Sequence, residues 1–276
     1  MSKNSISDFP DGECPRMSET AATLPEISRC PGPGGLTLAF RHAEGVGPLI
    51  VFLPGYMSDM AGSKAEAVLQ WAAGHGRGCL LLDYSGCGNS AGRFADGTLS
   101  RWRDEVLHLI GQAGAGTAER PVLLIGSSMG GWLMLLVARA LIEAKGDAVL
   151  AGMVGIAAAP DFTRWGYDEE QRALLASGRV LYEDNPYGPE PTPTHPGFFA
   201  DAEAQLLLDE PLAIAAPTRL LHGQRDADVP WEISIRLAER LTGGNVRVLL
   251  VKDGDHRLSR EQDIKLLLST LQELLH

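Results

Sequence analysis

The sequence of 276 residues predicts an α/β domain with a mostly parallel sheet and helices on both of its faces. Two observations carry this prediction. From Leu36 onward, short apolar runs alternate with helical patterns, which is typical of parallel strands joined by helices. In addition, the helical pattern over 129–144 is apolar on nearly every side, as expected of a helix that packs in the centre of a domain.

Composition and charge exclude several classes of protein. Lys and Arg number 24 against 35 Asp and Glu, so the net charge is −11. No nucleic-acid partner is expected, because phosphate binding requires a basic face. The hydrophobic share of 45% and the charged share of 21% are typical of a folded globular protein. The longest uncharged apolar stretch, 148–160, is shorter than the roughly 20 residues that a transmembrane segment needs.

The first 35 residues are predicted to form a flexible arm in front of one domain over 36–276. They are rich in Pro, Ser, Glu and Gly and show neither strand nor helix periodicity. Charges interrupt residues 1–30, which therefore do not resemble a secretory signal, and their acidic residues do not suit a transit peptide. The cysteines lack metal-type spacing, so reduced thiols in a cytoplasmic protein are the simplest interpretation. They are Cys14, Cys30, Cys79 and Cys87.

The strands are predicted at the apolar runs, in chain order. These runs are 36–41, 49–53, 79–83, 122–125, 149–157, 218–221 and 246–251. Ser63 and Glu66 predict a capping box before a helix over 65–73, and Ser259 with Gln262 predicts a second one before the last helix.

One stretch, about 161–217, interrupts the alternation of strands and helices. It contains five prolines between positions 186 and 196 and no clear strand. We interpret it as a small helical or irregular cap, inserted between two strands of the sheet.

The pattern G-x-S-x-G marks a serine on a sharp turn between a strand and a helix. It occurs at 126–130 and again at 88–92. The first copy follows an apolar run and opens the central helix, whereas the second lies in a polar loop. Ser128 is therefore the predicted nucleophile, and Ser90 is predicted to be structural. The simpler alternative is that Ser128 is only a small residue in a tight turn.

A serine nucleophile needs a general base, and a carboxylate that orients the base. His256 lies between the last strand and the last helix, where an imidazole can reach over the carboxyl edge of the sheet. His195, in the insertion, is the main rival. His222 stands at the end of a strand and is predicted to be packed.

The predicted acid is Asp226, in the loop after the strand over 218–221. Pro230 suits the first turn of the next helix, which makes Asp228 a predicted helix cap. Asp161 is a weaker alternative, and Asp255 is too close in sequence to His256 to orient its ring.

Acyl transfer also needs N–H donors that stabilise the oxyanion. One is expected from the residue after the nucleophile, Met129, and the other from the loop after an early strand. In that loop Gly55 permits a close approach, which makes the backbone N–H of Tyr56 the second candidate.

Seven aromatic residues of the insertion predict a lid above Ser128 that favours apolar acyl groups. The alternative is that these rings form the small core of the insertion itself. They are Phe162, Trp165, Tyr167, Tyr182, Tyr187, Phe198 and Phe199.

Five motifs, in this order, resemble the α/β-hydrolase superfamily. They are 53–57, 83–90, 126–132, 222–226 with 229–231, and 254–256. Within the superfamily, Gly131-Trp132 and Val229-Pro230-Trp231 resemble the mitochondrial palmitoyl-protein thioesterases that also cleave acyl glucuronides. The resemblance extends from about Leu36 to the C-terminus, and it implies the α/β-hydrolase fold. The arm departs from the mitochondrial pattern, because it lacks the Arg-rich character of a transit peptide, and it therefore fits a bacterial-type cytosolic relative better.

The sequence thus predicts a serine hydrolase that cleaves esters or thioesters through an acyl-enzyme on Ser128, without a metal or another cofactor. Its predicted substrates carry an apolar acyl group. The alternative is a binding protein that has this fold and no catalysis, since a fold alone does not determine function. A complete triad on a nucleophile turn would favour the enzyme.

Overall fold

The computed structural model describes residues 24–186 and 188–275. The strands in these ranges are β1 (Ser28–Pro31), β2 (Thr37–Ala43), β3 (Val46–Leu53), β4 (Arg77–Leu82), β5 (Val122–Ser127), β6 (Leu150–Ile156), β7 (Leu181–Glu183), β8 (Thr192–Thr194), β9 (Thr218–Gly223) and β10 (Val246–Val251). The helices are α1 (Ser63–Gly74), α2 (Leu99–Gln112), α3 (Met129–Lys145), α4 (Phe162–Trp165), α5 (Glu169–Ala176), α6 (Pro196–Glu203), α7 (Glu232–Arg240) and α8 (Glu261–Leu274).

Eight strands form one sheet in the order β1-β2-β4-β3-β5-β6-β9-β10. From β4 to β10 all neighbours pair in parallel, whereas β2 is antiparallel to both β1 and β4. The predicted mostly parallel sheet is therefore confirmed. Parallel strands bury both faces, and this requirement explains why their sequences are apolar runs.

Helices cover both faces of the sheet, as the alternation along β3 shows. Ile50 faces a core cluster that contains Val68 of α1 and Leu267 of α8. Val51 faces the opposite cluster, which contains Trp102 of α2 together with the apolar side chains of α3. Successive side chains on a strand point to opposite faces, so one strand contributes to two cores.

Helix α3 is the central helix that the sequence predicts. Eleven of its 17 residues are buried, which agrees with its apolar surface on nearly every side. It directly follows β5, and its first turn packs closely on the end of β3. A Cβ atom on Gly130 would lie 2.1 Å from the carbonyl oxygen of Leu53. Glycine at this position is therefore what allows the nucleophile turn to approach the neighbouring strand.

Both predicted capping boxes are wrong. The N-cap residue of α1 is Gly62, without a side-chain cap, and Ser63 is already the first helical residue. Ser259 donates its hydroxyl to the carbonyl oxygen of Arg257, and α8 begins after Arg260, whose backbone N–H donates to Asp263. In both cases the N-cap residue is one position away from the residue that the motif predicts.

The predicted flexible arm is wrong for 28–31, which form the edge strand β1 against β2. The four residues, Ser-Arg-Cys-Pro, have no apolar alternation because β1 has one neighbour in the sheet and lies at its edge. Leu24 and Ile27 also pack against the core. Residues 1–23 lie outside the described part of the chain.

The insertion between β6 and β9 contains α4, α5, α6 and a two-stranded antiparallel sheet, β7 with β8. The sequence shows no clear strand here, because strands of three residues are too short to show a periodicity. Leu175, Leu181 and Phe199 form a small core of its own. Within the described residues, no helix has the length and apolar character needed to cross a membrane.

Candidate active site

Ser128 occupies the sharp turn between β5 and α3. Its φ of 54° is in the left-handed region, which is costly for a residue with a side chain. The turn is fixed by its backbone, because Ser128 N–H donates to the carbonyl of Ile156 (2.9 Å) and Gly131 N–H donates to the carbonyl of Ser128 (2.8 Å). The strained turn therefore projects the hydroxyl away from the sheet, as the G-x-S-x-G setting predicts.

The loop between β10 and α8 brings His256 to this hydroxyl. Its Nε2 lies 3.1 Å from Ser128 Oγ, and its Nδ1 lies 2.9 Å from Asp226 Oδ2. A carboxylate can only accept hydrogen bonds, so Nδ1 carries the hydrogen and Nε2 is free to accept one from Ser128. The arrangement can thus transfer a proton from the serine to the imidazole.

The side chain of Asp226 is completely buried in the loop after β9. Its Oδ1 accepts hydrogen bonds from the backbone N–H groups of Asp228 and Val229, both at 2.9 Å. Burial raises the pKa of this carboxyl, but hydrogen bonds from His222 and His256 outweigh burial and hold the pKa well below its ordinary value. Asp226 is therefore an anion that can orient His256.

The alternative base and acids lie elsewhere or have other partners. His195 is the N-cap residue of α6 and contacts the ring of Phe94. The carboxylate of Asp161 accepts hydrogen bonds from the backbone of Leu207 and Leu208. Asp255 accepts a hydrogen bond from the backbone N–H of Leu258. These contacts are structural, and none of them involves His256.

The predicted cap role of Asp228 is wrong. The N-cap residue of α7 is Trp231, so Pro230 precedes the helix and is not in its first turn. Asp228 instead belongs to the tight loop that donates backbone N–H groups to Asp226.

The two predicted oxyanion donors belong to two segments that lie close to Ser128. Met129 is the first residue of α3, and Tyr56 follows β3 in a loop that approaches the nucleophile closely. A Cβ atom on Gly55 would lie 3.3 Å from the Cβ atom of Ser128. Both Met129 and Tyr56 line the cavity that also contains His256. The structure therefore brings the loop of Tyr56 and the first turn of α3 to the same cavity as Ser128.

The side chain of Tyr56 has a role that sequence reasoning missed. Its hydroxyl donates to the carbonyl of Pro193 in β8 (3.0 Å), and its ring packs edge-on against Phe94 and Phe198. The loop beside the nucleophile is thereby attached to the insertion. No local motif signals this contact, because its partners are about 137 positions apart.

A cavity of about 690 Å³ opens at Ser128. Three of the seven aromatic residues of the insertion line it, namely Phe162, Trp165 and Tyr167. Phe198 and Phe199 are instead buried, and the side chain of Tyr182 is 63% exposed. Phe199 belongs to the small core of the insertion and Phe198 to the main core, whereas the three lining rings face the cavity at Ser128. Tyr187 lies outside the described residues.

Among the described residues, one group of side chains has ligand atoms close enough to hold a metal ion. It comprises Asp226, Asp228 and His256, whose ligand atoms lie within 4.8 Å of one another. Two of these side chains are also the hydrogen-bonded pair at the serine, so a metal there would compete with the Asp226 contact to His256.

Comparison with protein families identifies the fold as a known one. Residues 50–267, well over half of the chain, match the alpha/beta hydrolase family. The chain belongs to this family. Both the fold class and the family that the sequence predicts are confirmed, and nothing in the comparisons supports the non-catalytic alternative.

Relatives of this hydrolase have been named and their structures solved. The mitochondrial palmitoyl-protein thioesterase ABHD10 of Mus musculus is 38% identical over 243 residues, which are 86% of this chain and 78% of the relative. A hydrolase from Agrobacterium vitis S4 superposes with a TM-score of 0.83 at 34% identity, over 91% of this chain and 99% of its own. The mouse ABHD10 structure gives 0.79 at 34% identity, over 90% and 98%. The chain is thus a hydrolase of ester or thioester bonds.

Proposed function

We propose that this hydrolase forms an acyl-enzyme on Ser128, with His256 as general base and Asp226 as the acid that orients it. The observation that carries the proposal is the continuous line of hydrogen bonds from Ser128 Oγ to His256 and from His256 to Asp226, at 3.1 and 2.9 Å. The line ends at a cavity that can admit a substrate. Nucleophile, base and orienting acid are thus within hydrogen-bond reach of one another.

In the first half of the reaction, Ser128 Oγ attacks the carbonyl carbon while its proton passes to His256 Nε2. The oxyanion that forms accepts hydrogen bonds from the backbone N–H groups of Tyr56 and Met129. His256 then gives the proton to the departing alcohol or thiol, which leaves the acyl group on Ser128. In the second half, water replaces the leaving group and the same steps release the carboxylic acid.

We propose that the preferred substrates are thioesters with long apolar acyl chains. The relatives are named palmitoyl-protein thioesterases, which supports this class of substrate. The lining of the cavity supports it as well, because Met57, Phe162 and Trp165 provide apolar contacts beside the serine. A cavity of about 690 Å³ is within the range of about 300–1,000 Å³ that small-ligand sites occupy.

The same proposal assigns separate roles to two parts of the chain. The eight-stranded sheet with its helices, which includes β1 and so begins before the expected boundary at residue 36, acts as the hydrolase domain, and the cap over about 161–217 acts as the acyl-chain lid. Phe162, Trp165 and Tyr167 line the cavity from the cap, which supports this role.

A panel of matched thioesters and oxygen esters tests the substrate class. Each acyl group from acetyl to palmitoyl is offered on the same alcohol and on the corresponding thiol, and kcat/KM is measured for each. We expect kcat/KM to rise with chain length, by at most about fourfold per methylene, since one buried methylene contributes about 0.8 kcal/mol. A flat profile contradicts the lid, and equal or higher rates for the oxygen esters contradict the thioester preference.

Two cap variants, Trp165→Ala and Tyr182→Ala, test which side chains cause the preference for long acyl chains. Trp165→Ala removes a ring from the cavity wall, and we expect it to reduce the rise of kcat/KM with chain length while acetyl substrates change little. Tyr182→Ala is the matched control, because this cap residue is 63% exposed and its ring does not line the cavity. Equal profiles in the two variants would contradict a role for Trp165 in chain recognition.

We further propose that the chain acts in the cytoplasm. Cys30, Cys79 and Cys87 form no disulfide, and burial raises the pKa of the Cys79 and Cys87 thiols, which keeps them protonated and unreactive. Free thiols of this kind suit a reducing compartment. The names of the relatives specify mitochondria, so fractionation of cells that produce the tagged chain is the test. Recovery with cytosolic markers supports the proposal, and recovery with mitochondrial markers contradicts it.

A further inference from the structure

A second histidine contacts the buried carboxylate of Asp226. His222 is on β9, its side chain is fully buried, and it cannot touch a substrate. Its Nε2 lies 3.1 Å from Asp226 Oδ2 and 3.0 Å from the carbonyl oxygen of Val229. Both partners are acceptors, so Nε2 carries a hydrogen and donates it to the carboxylate and to the carbonyl.

The other nitrogen of His222 has a partner that fixes this arrangement. Nδ1 lies 2.7 Å from the hydroxyl oxygen of Ser234 on α7, and Ser234 is 1% exposed. With the hydrogen on Nε2, Nδ1 of the neutral ring is an acceptor, and the Ser234 hydroxyl donates to it. The opposite tautomer would direct a lone pair at the Asp226 carboxylate, which is repulsive. The two acceptors at Nε2 therefore set the tautomer, and the hydrogen bond from Ser234 holds the ring in the orientation in which Nε2 faces Asp226.

The consequence is that one oxygen of Asp226 is shared by two imidazoles. Oδ2 accepts from His256 Nδ1 at 2.9 Å and from His222 Nε2 at 3.1 Å. The oxygen is thus held from two directions, and its negative charge is divided between two donors. Without His222, more of this charge would face His256.

We propose that His222 is a positioning residue that acts through Asp226, and that Ser234 holds the His222 ring in the orientation that donates to Asp226. His222 fixes the direction of the Asp226 carboxylate and limits how strongly this carboxylate stabilises the protonated form of His256. The inference rests on the proposed roles of Asp226 and His256. It concerns a group that is outside the triad and does not touch the substrate.

Two substitutions of similar polarity separate positioning from simple packing. His222→Gln places an amide N–H near the original Nε2, whereas His222→Asn places its amide near Nδ1, too far from Asp226 to donate. We expect His222→Asn to lower kcat about 10- to 30-fold with KM within twofold, and to move the acidic limb of the kcat/KM profile to higher pH by about 0.3 unit or more. We expect His222→Gln to restore kcat to within about threefold of the wild type, with the limb in its original place.

Three outcomes overturn the proposal. One is a His222→Asn enzyme with wild-type kcat and pH profile. Another is equal impairment of both variants with unmoved profiles, which indicates packing alone. If His222→Asn does not fold, Ser234→Ala decides: we expect its acidic limb to shift in the same direction, and an unmoved limb overturns the proposal.

Two controls accompany these variants. His42→Gln changes another histidine on the sheet, in β2, which pairs with Glu44 away from the triad. We expect its kcat and profile to remain those of the wild type. Turnover by Ser128→Ala would instead show that the proposed function has failed, so the two failures are distinguishable.

Discussion

Two loops of this molecule carry the same five-residue pattern, G-x-S-x-G, and use it differently. At 126–130 the pattern joins β5 to α3, and the hydroxyl of Ser128 lies 3.1 Å from a histidine. At 88–92 it lies in the loop after β4, where Ser90 Oγ accepts from the backbone of Ala39 (2.8 Å) and donates to the carbonyl of Asp83 (2.6 Å). The elements on either side of the pattern therefore decide whether the hydroxyl meets a base or the backbone.

The glycines of the two copies also serve different purposes. In the first copy the need is space, because a Cβ atom on Gly126 would lie 2.3 Å from the carbonyl oxygen of Gly130. In the second copy the need includes conformation, because Gly88 and Gly92 have φ values of +49° and +108°. The first copy is thus built for close packing between strand and helix, and the second for a tight loop.

The largest effect that separates the two copies is expected from the serines themselves. Ser128→Ala removes the nucleophile, and we expect kcat to fall by a factor on the order of 10³ or more with the fold intact. Ser90→Ala is the matched control, and its kcat should stay within about twofold of the wild type. Steady-state kinetics with circular dichroism checks both. If Ser90→Ala were inactive and Ser128→Ala active, the second copy of the pattern would carry the nucleophile.

Asp226→Asn tests whether the first copy depends on a distant carboxylate. An amide lacks the charge that orients His256, and its NH2 group faces N–H donors, so we expect kcat to fall about 100-fold or more. If Asp161→Asn were the impaired variant and Asp226→Asn fully active, the orienting acid would be Asp161, which follows β6.

Asp226 also gives the protein a pH-dependent stability. Burial raises the pKa of its carboxyl, but hydrogen bonds from His222 and His256 depress it below the ordinary 3.8. The ionised group therefore stabilises the fold above about pH 4, and this contribution disappears as the pH falls further. In urea unfolding we expect the stability difference between wild type and Asp226→Asn to be largest near neutral pH and to shrink in acid. A difference that is constant with pH would contradict the depressed pKa.

Two glycine substitutions separate the need for space from the need for a positive φ. Gly130→Ala places a methyl group 2.1 Å from a backbone oxygen of Leu53, and the rigid strand cannot yield. We expect a loss of more than about 2 kcal/mol of unfolding free energy, together with lost activity. In Gly92→Ala the nearest atom is a flexible Leu36 methyl group at 3.1 Å, so the cost arises mainly from φ, at about 1–2 kcal/mol. Equal losses in urea unfolding would refute this distinction.

A comparable effect on stability is expected in Ser90→Ala. The buried N–H of Ala39 loses its acceptor, which costs about 1–3 kcal/mol. Urea unfolding measures this loss. An unchanged stability would mean that the second copy is not a structural element.

Much of the fold was predictable, because its signals are local. The runs at 122–125 and 218–221 match β5 and β9 within two residues, since strands buried on both faces must be apolar. The capping of α1 and α8 was not predictable, because it depends on where the chain enters the helix. The strands β1 and β7 were missed for another reason: both are short and lie at edges, where no periodicity is required.

The candidate site likewise has features that were predictable from the sequence and features that were not. The approach of Ser128, Asp226 and His256 was predictable, because parallel strands deliver their following loops to one edge of the sheet. The contact of Tyr56 with the cap and the bond of His222 to Asp226 were not. They depend on the exact direction of side chains inside the packed protein, and a strand-end histidine next to a glycine suggests packing alone.

The central claim is that the first copy of the pattern, and not the second, carries the nucleophile. Labelling of the folded protein with a fluorophosphonate, followed by mass spectrometry of its peptides, tests it most directly, because the reagent forms a covalent adduct with an activated serine. We expect one adduct per chain, mapped by fragmentation to Ser128, and no labelling in Ser128→Ala or His256→Ala. An adduct on Ser90, or labelling that persists in Ser128→Ala, would contradict the account.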